Sequence, residues 1–145
     1  MEKIIVTAKF HTGHRQLGYP GKCKFVHGHT WQGKVMLAAE EFPRDAIDMS
    51  IDFGDIKNVM RSLDHKMLIT EQDATFLDAG LFEPEGIVML KGQGPSVENV
   101  ARYVFDGVVA VIEKQYPGKG VRYTVEVTIH ETENNTFIVE KIVTI

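Results

Sequence analysis

With a single cysteine, Cys23, the chain can form no intrachain disulfide, which fits a reducing, cytoplasmic setting. It has no apolar run near the ~20 residues that a bilayer-spanning helix needs. It also lacks the long apolar segment of a signal peptide, because Met1-Glu2-Lys3-Ile4-Ile5 enters directly into a strand-like pattern. Positive charge is not in excess: 16 Lys and Arg face 20 Asp and Glu, for a net charge of −4. No basic run or stripe stands out, so nucleic-acid and anionic-membrane partners are not expected; phosphate backbones demand clustered cations. There is no solenoid-period repeat and no low-complexity tract. What is left is an ordinary globular composition, 43% hydrophobic and 25% charged, and 145 residues are enough for one domain spanning 1–145.

The first strand alternates cleanly. Ile4, Val6, Ala8 and Phe10 share one face, and Lys3, Thr7, Lys9 and His11 take the other. Gly18-Tyr19-Pro20-Gly21 is loop chemistry. From His27 a second strand puts Trp31, Val35, Leu37 and Ala39 on one face. Asp52 is placed to cap a helix whose apolar positions are Phe53, Ile56, Val59, Met60, Leu63 and Met67. Residues 70–94 are punctuated by glycine and show no firm period, a long excursion of the kind that is often functional. Ser96 is the expected N-cap of a second helix with Val97, Val100, Ala101, Val104, Phe105, Val108 and Ile112 on its apolar face, ended by Tyr116-Pro117-Gly118. A hairpin over residues 121–145 turns at Glu133-Asn134-Asn135. The expected order is ββααββ: an α+β fold with two helices on one face of an antiparallel sheet whose open edges invite association.

Four histidines stand near the N-terminus. His27 and His29 are two apart on a strand, so both rings leave its apolar face. His14 continues the apolar register of the first strand, whereas His11 falls on the polar face. A lone His-x-His is a weak signal. A third imidazole on a facing strand makes a set that suits Zn²⁺ and leaves a fourth position open, as catalytic sites require. Cys23 lies just before the pair; a lone cysteine is commonly a buried small hydrophobe, but Lys22 and Lys24 argue against burial.

Two carboxylates stand out. Asp64-His65 reads either as a helix end decorated with a dipole-matched histidine or as an aspartate orienting a general base. Glu131 continues the inward row of Val121, Tyr123, Val125, Val127 and Ile129. A carboxylate there is either solvated beyond the strand end or buried and matched by paired N–H donors from a ligand. His130 faces out by the same parity.

Taken together these residues resemble the 6-pyruvoyl-tetrahydropterin synthase and 6-carboxy-tetrahydropterin synthase family. The resemblance rests on Phe10-x-x-Gly13-His14, Cys23-x-x-x-His27-Gly28-His29, Asp52-Phe53, Leu63-Asp64-His65, Pro95-Ser96-Val97-Glu98-Asn99 and Glu131-Thr132, in that order. It implies the T-fold, in which subunits join sheet to sheet as a homo-oligomer, a hexamer or tetramer, with active sites between subunits. It implies Zn²⁺ on His14, His27 and His29, Cys23 as proton acceptor with Asp64 and His65 as its relay, and a pterin ring anchored by Glu131, with Ser96 and Glu98 as further substrate contacts. The implied activity is a zinc-dependent lyase acting on 7,8-dihydroneopterin triphosphate. The product would be 6-carboxy-tetrahydropterin, with acetaldehyde and triphosphate released, or the 6-pyruvoyl compound by triphosphate elimination alone. Arg15, Lys22 and Lys24 are candidate triphosphate contacts. A zinc-stabilised binding protein without turnover is the competing expectation from another class.

Overall fold

The computed structural model describes residues 1–78 and 80–145. Two thirteen-residue strands, β1 (Glu2–His14) and β2 (His27–Ala39), pair antiparallel along their whole length, from Glu2 opposite Ala39 to His14 opposite His27. A 3₁₀ turn at Lys22–Lys24 lies in the loop that joins them. The hairpin of β5 (Arg122–His130) and β6 (Thr136–Thr144) extends the sheet beside β2. On the other side of β1 run two short parallel strands, β3 (Lys66–Ile69) and β4 (Ile87–Met89), giving the order β4-β3-β1-β2-β5-β6.

Helices α1 (Phe53–Arg61) and α3 (Val97–Gln115) cover one face of this sheet, α1 against β1 and α3 against β5 and β6. Asp52 caps α1 by accepting the Gly54 N–H at 2.7 Å. Ser96 caps α3, accepting from Asn99 at 3.4 Å. The inward rows predicted from alternation are the buried rows: Phe10, Trp31, Val35, Leu37, Tyr123, Val125, Val127 and Ile129 are all fully buried. Ile5, Ile138 and Ile142 are more than half exposed on the opposite face.

The α+β class, the four long strands and the two main helices match the sequence reading. The sheet, however, is mixed rather than antiparallel, and Met67 is not part of the first helix. That helix stops at Arg61, and His65 takes φ +57°, a left-handed conformation that no helix continues through. The chain then enters β3, where Met67 is buried from a strand. The 70–94 excursion contains β4 and a five-residue helix, α2 (Ala74–Asp78). Elements of three to five residues are too short to display a period, which is why none was legible.

The two covering helices touch where α3 has no side chain. A Cβ on Gly107 would stand 2.5 Å from Val59 Cγ1 of α1, and a valine on a helix has little rotamer freedom to yield. Gly107→Ala is therefore expected to destabilise. Overpacking of about 1–3 kcal/mol outweighs the ~0.5–1 kcal/mol that alanine gains in a helix, and thermal unfolding should report a drop of a few degrees.

Candidate metal centre and catalytic cleft

The end of β1 and the start of β2 bring His14, His27 and His29 together. One nitrogen from each lies within 4.8 Å of the others. His29 meets the other two rings edge to face, at centroid separations of 5.2 Å (His14) and 4.9 Å (His27), and His14 and His27 are tilted against each other at 4.6 Å. Trp31 forms their floor, 5.2 Å from His14 and 5.5 Å from His29, stacked on Phe10 and fixed by donating its indole N–H to the Thr12 carbonyl.

The tautomers follow from the partners. His14 Nδ1 sits 2.6 Å from the Pro95 carbonyl and His27 Nδ1 2.7 Å from the Phe25 carbonyl. A carbonyl only accepts, so each Nδ1 carries the proton and each Nε2 keeps its lone pair. The Nε2 atoms of His14 and His29 are buried without a hydrogen-bond partner. Burial pushes the His14 pKa down to about 4, against the raising effect of Pro95, and burial also lowers that of His29. Neutral rings with buried, unpartnered lone pairs are what a metal ion requires of its ligands. The donor set therefore fits a divalent cation with an open fourth position. Cys23 is outside the group of convergent ligand atoms.

A cleft of ≈ 390 Å³ opens beside these rings, lined by His14, His27, Cys23, Ser96, Glu98 and Glu131 among others. Cys23 is partly exposed on its 3₁₀ turn, not buried in the core, as Lys22 and Lys24 foretold. Glu131 is on the inward side, its side chain 20% exposed, with oxygens 3.9 Å from His14 Nε2 and 3.8 Å from His29 Nε2. Those separations are too long for hydrogen bonds; the Glu131 charge raises the His29 pKa, but less than burial lowers it. A larger cavity of ≈ 870 Å³, lined by α1 and α3 residues such as Asn58, Val59 and Tyr103, has no convergent imidazoles and does not include Cys23.

Asp64 and His65 are elsewhere. Neither lines the cleft. They dock along the edge of β1 that pairs with β3, at His11, whose N–H donates to Asp64 at 2.7 Å and whose carbonyl accepts the His65 N–H at 2.7 Å. Asp64 holds His65 Nδ1 at 2.9 Å, and the His11 N–H is the first cause of its lowered pKa. The aspartate does hold the imidazole, and the pair follows directly after the end of the first helix. His11 and His14 are three apart on a strand and so leave opposite faces. The pair thus lies beside His11, apart from the cleft that Cys23 lines.

Arg15 differs from expectation. It is not free for a triphosphate: its guanidinium grips Asp73 at 2.6 and 2.7 Å and lies over the Phe76 ring. Sequence reasoning also missed the docking role of His11, since parity assigned its face correctly but could not say what rests there.

Residues 3–141 match the sequence model of the family described as 6-pyruvoyl tetrahydropterin synthase. The chain belongs to that family. A 6-carboxy-5,6,7,8-tetrahydropterin synthase of Rickettsia felis is 35% identical over 78 residues, 50% of this chain and 55% of the relative. One from Rickettsia bellii is 27% identical over 109 residues, 72% and 78% of the two chains. The chain thus spans about half the length of several curated relatives it matches. A catalytic-residue mutant of Plasmodium vivax 6-pyruvoyltetrahydropterin synthase superposes over 98% of both chains with TM-score 0.69 at 17% identity, which establishes the shared T-fold. Among the described residues no helix is long and apolar enough to cross a membrane.

Proposed function

We propose that this chain is a cytoplasmic zinc-dependent lyase that converts 7,8-dihydroneopterin triphosphate to 6-carboxy-5,6,7,8-tetrahydropterin, releasing acetaldehyde and triphosphate. The observation that carries the reading is the cleft itself: of three imidazoles with convergent nitrogens, His14 and His27 line one small space together with a thiol and an inward carboxylate. The names of the curated relatives support the 6-carboxy product over the 6-pyruvoyl one.

His14, His27 and His29 hold the metal, which when bound supplies Lewis-acid polarisation of the substrate's side-chain hydroxyls. Glu131 accepts the 2-amino and N3–H donors of the pterin bidentately, and this pairing offsets the cost of a half-buried carboxylate. Cys23, as thiolate, takes the side-chain proton, and His65 oriented by Asp64 returns one. Ser96 and Glu98 contact the substrate from the start of α3. Lys22 and Lys24 hold the triphosphate. The oxygen count requires one water: acetaldehyde and a carboxylate need three oxygens, and the side chain keeps two once triphosphate leaves. The ring gains the two electrons that the side chain loses, so no external reductant is needed.

Because Asp64 and His65 lie outside the cleft that Cys23 lines, the site is completed by a neighbouring copy, and the enzyme is a homo-oligomer joined through its β4 and β6 edges. Incubation of the zinc-loaded protein with the substrate, followed by mass spectrometry, tests the reaction. Acetaldehyde and a one-carbon side chain are expected. Triphosphate with a retained three-carbon side chain would assign the 6-pyruvoyl product instead.

A further inference from the structure

We propose that Arg15 and Asp73 are positioning residues for the metal centre, which with the Pro95 carbonyl frame His14. The inference rests on the metal reading above and adds residues that have no place in it.

Three successive residues at the exit of β1 each hold a different point of the 70–95 segment. His14 donates its Nδ1–H to the carbonyl of Pro95, at the segment's far end. Arg15 forks onto Asp73 near its beginning, through Nε at 2.7 Å and Nη2 at 2.6 Å. Gln16 packs against Gly94, with its Oε1 3.0 Å from where a Cβ would stand. The Gln16 N–H then donates to the carbonyl of Cys23 at 2.8 Å, so the same exit also sets the thiol-bearing turn.

The Arg15–Asp73 pair is built, not casual. Asp73 is 4% exposed and sits in a turn closed by its own N–H to Thr70 and by the Phe76 N–H to its carbonyl. The guanidinium lies 4.7 Å over the ring of Phe76, itself 6% exposed. Phe76 packs in a small cluster with Met67 and Ile69 of β3, and Met67 Sδ comes within 3.6 Å of the position a Cβ on Gly13 would occupy. Two charges are taken largely out of water here, which is tolerable only with bidentate geometry and good packing. Such a pair is a poor source of stability but a good way to specify one backbone arrangement, and the backbone it specifies carries His14. Groups that hydrogen-bond a ligating histidine, as Pro95 does His14, typically govern metal affinity by about 10–100-fold, and Arg15 with Asp73 acts on that ligand through the backbone next to it.

The test is Zn²⁺ affinity, measured by chelator competition without substrate, in Arg15→Lys and Asp73→Asn, alongside thermal unfolding of metal-free and metal-loaded protein. Lysine keeps the charge but loses the fork and the stack. A roughly 10–100-fold loss of affinity is expected in both, with altered ligand-field bands after Co²⁺ substitution. Unchanged affinity and spectra, with both forms losing the same melting temperature, would overturn the positioning role and leave only a structural one. Should Asp73→Asn fail to fold, Arg15→Lys decides by the same criterion. A wild-type chain that binds no Zn²⁺ overturns the metal centre and this role together, whereas tight wild-type binding with unaltered variants overturns this role alone.

Discussion

Cys23→Ala is expected to lower turnover by about 10²–10⁴-fold while metal affinity stays unchanged. The thiol lines the cleft, on a 3₁₀ turn with no buried residue, so its removal empties no part of the core. Stability should shift by less than about 0.5 kcal/mol. A binding protein merely stabilised by zinc makes the opposite forecast, that the substitution changes nothing but stability. Steady-state rates and thermal unfolding on one preparation separate the two. A second comparison addresses where the relay comes from. His65→Ala should be as inactive as Cys23→Ala, yet co-assembled mixtures of the two should recover activity that neither has alone. In such hybrids an intact Cys23 meets an intact Asp64–His65 pair across an interface. Absence of recovery would mean that the dyad and the thiol act within one chain, contrary to the dyad's absence from the cleft that the thiol lines.

How much of this was legible in the sequence depends on the length over which a pattern repeats. Thirteen residues of alternation on β1 were enough to select His14 over His11, and nine on β5 were enough to bring Glu131 inward. β3 and β4 offer four and three residues, and Met67 stands four after Leu63, so the helical pattern ran straight through a boundary. The break is a backbone event, φ +57° at His65, with no glycine to announce it. Other features were invisible for chemical reasons. The group that orients His14 is a main-chain carbonyl, which every residue owns and no sequence pattern marks. Arg15 looked like an anion contact because a cation beside a metal ligand usually faces solvent. Its partner Asp73 lies 58 residues away in the stretch with no period. The Asp64–His65 pair was visible as a motif but not as a docked element. Its docking uses the main chain of His11, a residue that parity had set aside.

Acid should destabilise the metal-free fold as pH falls from about 6.5 toward 4. In the folded, metal-free chain burial holds His14 at a pKa of about 4, against an ordinary 6.5. Between those values the unfolded chain binds a proton that the folded one refuses, so stability rises with pH across the window. The contribution is fully present above pH 6.5 and is lost as pH falls toward 4. At ~1.4 kcal/mol per unit it amounts to roughly 3 kcal/mol. His29, lowered for the same reason, adds with the same sign. Asp64, whose pKa is also lowered, acts in a separate window below its ordinary 3.8. Urea titrations of chelator-treated protein at pH 7, 5.5 and 4.5 should therefore show a steep decline, flattened though not abolished in His14→Gln because His29 remains. A flat profile in the wild type would mean that His14 is hydrated rather than buried. With metal present, the same lone pairs are held by the ion, and binding to the folded state alone adds stability that grows with free metal concentration. Proton and metal then compete for the same nitrogens, so on acidification the loaded protein should release its metal as the imidazoles charge, with proton uptake measurable alongside.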